Sequence, residues 1–558
     1  MGSVEGMSQR PKVHLNQGTI LGIIQPGSYP DPIEAFLGIP YAQPPVEDLR
    51  FRPPVRIEAS SQTFEASRYG PAAPAKQLLQ TTGPALEYSE DCLTVNVFRQ
   101  KIPHVTNGRS LLPVAVYVHG GAFNRGTSAM HNTASMVGWS EQPFIAVSFN
   151  YRVGALGFLP SSLSAKEGAL NLGLKDQILL FQWVQDNIEH FGGDKNDITL
   201  IGLSAGAHSI GRHLMRHNKQ NPGPFHRVII ESGAPTSRAV RAFDAEIHED
   251  QFREFLKEVG CPNDCPENEI FPFLRSLPLS VISGAQNKVF DRYNPSLRWA
   301  FQPVVDGEVI PSPPIESWRS GNYCKVPIMT GFNGNEGSLY VNQKMSSGKQ
   351  FTRFFRTLLP GLTDADIETI STKLYPDPDT SADQTFQETR QNLRVGSQYK
   401  RLEAAYGQYA YVAPVRQTAH FASDFQTEPV FLYHWALPTT VVGGASHADN
   451  MRYETYDPQV TSLSESQNEI SGFLHAYVTS FVCNKGDPNA LRGRFARRPK
   501  WEPYQSGKQD LPKTMVFGRN IKELVGGAND GQVAEFLYDD WALEQCRFWW
   551  DRVELTQQ

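Results

Sequence analysis

The chain has 558 residues, with 58 acidic against 52 basic side chains for a net charge of −6, and 40% apolar and 20% charged residues. Its 45 Gly and 40 Pro are scattered along its length, a profile that excludes disordered, collagen-like and coiled-coil chains. No block of Lys or Arg offers a nucleic acid a binding surface, and apolar runs such as Leu111 to Val118 stop well short of the roughly 20 residues that a membrane span requires.

The first ten residues, Met1 to Arg10, contain no apolar segment of the kind that leads a secreted chain, and the Gln557-Gln558 end carries no prenylation or peroxisomal signal. The six cysteines (Cys92, Cys261, Cys265, Cys324, Cys483 and Cys546) have neither the density of a disulfide scaffold nor a paired CxxC zinc pattern. A reduced, cytoplasmic protein is expected; secretion would require a leader already removed.

In chain order, strand-like runs at Pro113 to His119, Phe144 to Phe149, Ile198 to Gly202 and Val228 to Glu231 alternate with helical patterns. Leu174, Ile178, Phe181, Val184 and Ile188 recur every three or four residues, and Gly192-Gly193 can end that helix. Further strands are predicted at Val326 to Thr330, Val430 to Trp435 and Thr514 to Phe517. Continuous apolar strands joined by crossover helices predict an α/β fold, with a mostly parallel sheet covered on both faces. No linker divides it, so residues 1–558 are read as a single domain, with helical insertions near 243–318 and 344–422.

The strand from Ile198 runs into Gly202-Leu203-Ser204-Ala205-Gly206 and then a helix. A bare GxSxG is no more than a tight turn, but a strand before it and a helix after it make a nucleophile elbow that presents Ser204. Acyl transfer also needs donors for a developing oxyanion. His119-Gly120-Gly121-Ala122-Phe123, directly after another strand, supplies the N–H groups of Gly121 and Ala122, joined by that of Ala205.

Ligands of parallel sheets sit beyond the carboxyl ends of the strands, so a base and its orienting acid are sought in later loops. Glu336 follows the strand ending at Thr330, and His447 follows the one ending at Trp435. Of the other histidines beyond Glu336, His434 falls within a strand pattern and His420 and His475 within helical ones, which reads as packing or surface. The order Ser204, Glu336, His447 is that of hydrolase triads on such a sheet, with Asp449 as the alternative carboxylate. His213 and His217 are spaced i, i+4, but Leu214 stands where a zinc protease pattern needs Glu. No metal or cofactor is predicted.

These segments, together with Phe36 to Ala42, Ser89 to Leu93, Asn150 to Gly154, Phe191 to Asp194 and Asn335-Glu336-Gly337, resemble the type-B carboxylesterase and lipase family of α/β-hydrolases over nearly the whole length. The resemblance implies an α/β-hydrolase fold with helical insertions forming a gorge. It implies Ser204 as nucleophile, His447 as general acid and base, Glu336 as its orienting carboxylate, and Glu90 and Arg152 as a structural ion pair. Leu203 stands where many members of the family have Glu, and no Trp lies between Ser60 and Ser89, where the cholinesterase branch binds choline. Both departures imply a largely apolar, uncharged ester. The segment matching the upstream partner of Cys92 lacks cysteine, and Phe273 stands at the partner position of the second family disulfide, so Cys92 is expected to be free.

The function so implied is a serine ester hydrolase working through an acyl-enzyme on a small-molecule substrate, as a monomer or homodimer. An acyltransferase or lactone-forming enzyme would use the same triad, whereas a non-catalytic adhesion protein would not need it. The aromatic stretches Phe351 to Phe355 and Tyr406 to Tyr411 could line the gorge, although their spacing also suits a core.

Overall fold

Alternate side chains of an apolar strand point to opposite sides, so a strand without polar positions needs cover on both. The computed structural model describes residues 10–76, 84–101, 111–238, 240–389, 393–491, 493–507 and 511–556. The segment before Arg10 and the final Gln557-Gln558, read above for targeting signals, lie outside the described residues, as do residues 77–83 of the stretch without Trp.

In chain order the strands are β1 (Lys12–Leu15), β2 (Gly18–Leu21), β3 (Ile23–Gln25), β4 (Ile33–Pro40), β5 (Thr63–Glu65), β6 (Thr94–Gln100), β7 (Leu112–Val118), β8 (Ile145–Phe149), β9 (Gly193–Leu203), β10 (Arg227–Glu231), β11 (Ile328–Asn333), β12 (Val430–Trp435), β13 (Lys513–Phe517) and β14 (Ala534–Tyr538). β1, β2 and β5 make a small sheet, and the others form one sheet in the order β14-β13-β12-β11-β10-β9-β7-β8-β6-β4-β3. Its centre, from β8 through β7 and β9 to β13, is parallel. Its edges are antiparallel, with β6, β4 and β3 on one side and β14 on the other.

The strands from β7 to β12 each feed two cores. Val114, Val116 and Val118 of β7 pack into one and Ala115 and Tyr117 into the other. The helix Leu172–Asn187 covers the first face with Leu174, Leu180, Phe181 and Val184, and the helix Glu465–Cys483 covers the second with Leu474, Tyr477 and Phe481. Gly192 (φ 90°) caps the 3-10 turn that ends the first helix, while Gly193 already begins β9.

The connection from β10 to β11 carries the helices Glu246–Glu258, Glu267–Ser276, Leu279–Tyr293 and Pro314–Ser320. That from β11 to β12 carries, among others, Gly348–Leu358, Tyr399–Gly407 and Ala413–Phe425. β7 lies between β8 and β9, so successive connections leave its neighbourhood in opposite directions. This topological switch opens a crevice at the carboxyl ends of β7 and β9.

One expected pair is different. Arg152 does not meet Glu90; it grips Asp176 of the helix Leu172–Asn187 with Nε and Nη2 at 2.8 and 2.6 Å. Glu90 is held by Arg50, at 2.6 and 2.7 Å. Asp176 comes from the helix packed on β8, so it reaches Arg152 just beyond that strand, and a two-pronged bond fixes each guanidinium on its own carboxylate. Cys92 is buried and free; the other five cysteines are free too, Cys324 and Cys546 buried and Cys261, Cys265 and Cys483 half-buried.

Candidate active site

The crevice at the switch is where the elbow forms. Ser204 follows β9 with φ 59° and ψ −123°, a conformation few non-glycine residues adopt, and then caps the helix Ala205–Arg216. Close packing makes room for this turn. A Cβ on Gly206 would lie 2.0 Å from the Val118 carbonyl oxygen, and one on Gly202 would lie 2.7 Å from the Gly206 backbone. The Ser204 N–H donates to the Glu231 carbonyl at 2.9 Å, tying the elbow to the end of β10.

Beside it, the segment after β7 turns through positive φ at Gly121 (117°), Ala122 (57°) and Phe123 (62°). His119 is stacked on Tyr151 at 4.2 Å, and the Tyr151 hydroxyl donates to the His119 carbonyl at 2.8 Å. Burial pushes the His119 imidazole down to about 4, so it is a neutral strut for this loop. Among the described residues nothing accepts a hydrogen bond from the N–H of Gly121, Ala122 or Ala205.

Glu336 and His447 meet from separate loops. His447 Nδ1 lies 2.5 Å from Glu336 Oε2, and the other carboxylate oxygen accepts the Asn333 N–H at 2.7 Å. The Asn333 amide in turn donates to the Ser446 carbonyl at 2.6 Å, joining the two loops directly. Asp449 does not contact the imidazole through a hydrogen bond; its Oδ2 accepts from the Thr439 hydroxyl at 2.5 Å and the Ser446 N–H at 2.7 Å. Burial pushes the Asp449 carboxyl up to about 7 against those bonds.

A cavity of about 760 Å³ is lined by Gly121, Ala122, Leu203, Ser204, Tyr340 and His447, among others. Ser204, His447 and the loop of Gly121 and Ala122 are therefore brought together, while Ala205 is buried beneath them. His447 Nε2 is buried without a hydrogen-bond partner among the described residues, and the Ser204 hydroxyl makes no hydrogen bond there either. The histidine ring is wedged between Tyr340 and Tyr411, with centroids at 5.2 and 4.6 Å. Such a site can hold a carbonyl beside a hydroxyl, an imidazole and unbonded N–H donors, the parts acyl transfer requires.

A family model described as the carboxylesterase family matches residues 9–527. The chain belongs to the carboxylesterase family. It is 34% identical to secreted lipase 4 of Gibberella zeae, over 87% of this chain and 84% of that one, and 30% identical to lipase 1 of Geotrichum candidum, over 92% and 93%. The crystal structure of Aspergillus niger EstA superimposes with a TM-score of 0.80 at 26% identity, covering 98% of this chain and 99% of the other. This carboxylesterase is thus an α/β-hydrolase, and ester hydrolysis is its chemistry. The secreted relative lends no support to the cytoplasmic expectation.

Other predicted residues of this carboxylesterase lie elsewhere. His213 bonds Gln177 at 2.8 Å and His217 the Asn221 carbonyl at 3.3 Å. His434 is packed between Phe332 and Trp541, and His475 Nδ1 bonds the Glu454 carbonyl. Phe351 and Phe355 are core, whereas Tyr411 reaches His447. Tyr340 and Arg125 escaped the reading of the sequence, although each lies within four residues of a motif that was found: Tyr340 after Glu336, Arg125 after Phe123. On the cavity lining Leu203 supplies an apolar wall, and the buried guanidinium of Arg125 stands there too.

Proposed function

We propose that the protein is a serine carboxylic-ester hydrolase in which residues 1–558 act as one catalytic domain, with Ser204 as nucleophile, His447 as base and acid, and Glu336 as the carboxylate that orients it. The observation that carries this reading is the bond of 2.5 Å between His447 Nδ1 and Glu336 Oε2, made at the cavity that Ser204 lines. With Nδ1–H donating to the carboxylate, the buried and unpartnered Nε2 is the nitrogen that acts as the base.

With an ester seated, Nε2 takes the Ser204 proton as Oγ attacks the carbonyl carbon. The oxyanion accepts hydrogen bonds from the N–H groups of Gly121, Ala122 and Ala205. His447 then gives its proton to the departing alcohol oxygen, leaving the acyl group on Ser204. Water, deprotonated by the same imidazole, attacks the acyl-enzyme and frees the acid. The hydrogen bond between Ser204 and His447 closes on binding, as catalytic bonds in ligand-free sites often do.

The test is hydrolysis of a 4-nitrophenyl ester series from acetyl to long acyl chains by wild type and Ser204→Ala. Loss of turnover in the variant, at matched folded concentration, is expected; equal turnover in both would reject Ser204 as nucleophile.

A further inference from the structure

Behind the oxyanion loop lie charges that the hydrolytic mechanism does not use. Arg125 is 7% exposed and Arg212 3% exposed, and no ion pair or side-chain hydrogen bond engages either guanidinium among the described residues. Arg125 lines the cavity that holds Ser204 and His447. Arg212 lies over the ring of Phe123 at 5.0 Å, directly behind the oxyanion loop. Arg238 lies over Trp299 at 3.8 Å and donates to the Tyr411 hydroxyl at 2.5 Å, the same tyrosine that packs on His447.

The Arg238 charge bears on each of the other two. Burial pushes Arg212 down to about 9, with the Arg238 charge adding to it, and burial and Arg238 also lower Arg125. His208, on the helix that starts at the elbow, is held neutral by burial and by the charges of Arg212 and Arg238. The carboxylates near the cavity are committed elsewhere, Glu336 to His447 and Asn333, and Asp449 to Thr439 and Ser446. A guanidinium withdrawn from water is costly to keep without an anion, and a planar carboxylate fits its paired donors.

We propose that the ester taken by this site carries a carboxylate, bound by Arg125 at the cavity wall and favoured by the positive potential of Arg212 and Arg238 behind it. The inference rests on the ester-hydrolase reading and names its substrate class. Leu203 and the aromatic wall receive the apolar part of such a molecule, and Arg125 receives its acid.

The experiment compares kcat/KM within two matched pairs: 4-nitrophenyl hexanoate against the 4-nitrophenyl half-ester of adipic acid, and phenyl acetate against 3-carboxyphenyl acetate. Wild type is expected to favour the charged member of at least one pair by about tenfold or more, the scale of one charge-assisted bond. The responding pair tells which half of the ester bears the acid. Arg125→Gln is expected to bring that ratio to about one, and Arg125→Lys to keep part of it. Preference for the neutral member in both pairs overturns the proposal, a result that depends on no variant. In parallel, the Tm of Ser204→Ala protein is measured with adipate and with its neutral diamide. Should no ester be turned over, the hydrolase reading fails, and these shifts still decide: a larger rise with adipate upholds the anion site, and equal rises overturn it.

Discussion

Glu336 and His447 face each other across 2.5 Å from loops 111 residues apart in sequence, and the pair is held by the Asn333 backbone N–H on the carboxylate and the Asn333 amide on the Ser446 carbonyl. In the proposed mechanism this carboxylate keeps the imidazole in the tautomer that leaves Nε2 basic. Glu336→Gln preserves the size of the side chain but presents an amide to Nδ1, so kcat should fall by about 10³ to 10⁴ while the fold remains. Asp449→Asn, which disturbs only the loop, should cost far less. Steady-state kinetics with circular dichroism on both variants separates the roles; a larger loss for Asp449→Asn would make it the orienting acid.

Gly206 has no room for a methyl group, since its Cβ would stand 2.0 Å from the Val118 carbonyl oxygen and 3.2 Å from His119 backbone carbon. Both obstacles are backbone at the end of β7, which cannot rotate away as a side chain would. Gly206→Ala should therefore destabilise the protein by at least about 3 kcal/mol and remove activity, the upper end of overpacking costs. Urea unfolding monitored by tryptophan fluorescence gives the answer, and a variant with wild-type stability and turnover would contradict the packing described for the elbow.

Arg152 and Asp176 are 2% and 0% exposed, so removing one charge strands the other away from water. Asp176→Asn should cost about 3 to 5 kcal/mol. The exposed pair Arg56 and Asp186, at 3.1 Å, is a built-in control, and Asp186→Asn should change stability by less than about 1 kcal/mol. Comparable losses in the two variants, measured by denaturant titration, would refute the contrast.

The parallel centre of the sheet was legible in sequence because strands buried on both faces must be apolar throughout, as Val430–Trp435 is. The elbow and the Gly-rich loop were legible for a related reason: close backbone approach leaves only small residues. The antiparallel strands β3, β4, β6 and β14 escape a pattern search built on strands joined by crossover helices, and β3 and β14 are in addition only partly buried. Which acid Arg152 would hold was equally hidden, because Asp176 reads as one more polar position on an amphipathic helix until that helix is packed. The arginine cluster is the extreme case. Arg125, Arg212 and Arg238 are far apart in sequence, and each alone looks like an ordinary surface cation; only the fold buries Arg125 and Arg212 and sets the Arg238 charge close enough to act on both.

Beneath the elbow, Glu454 lies with one oxygen 3.2 Å from His131 Nε2 and its carboxyl against that of Glu231. Glu231 also accepts the Tyr433 hydroxyl at 2.6 Å and the Asn450 amide at 3.1 Å, while its backbone carbonyl holds the Ser204 N–H. Burial pushes Glu454 up to about 7 and Glu231 well up too, and it pushes His131 down to about 4, so the imidazole offers no charge to offset theirs. In the unfolded chain Glu454 ionises near its ordinary 4.5. Between that pH and about 7 the folded protein keeps a proton that the unfolded chain has lost, so stability falls as pH rises through this window. The Glu454 contribution to that fall is about 3 kcal/mol at most. Glu454→Gln fills the same space with a group that never ionises, and it should remove this part of the slope. Unfolding free energies of both proteins at pH 4.5 and pH 7 test it: the variant should gain on wild type as pH rises, and parallel pH profiles would show that Glu454 does not hold its proton in the folded state.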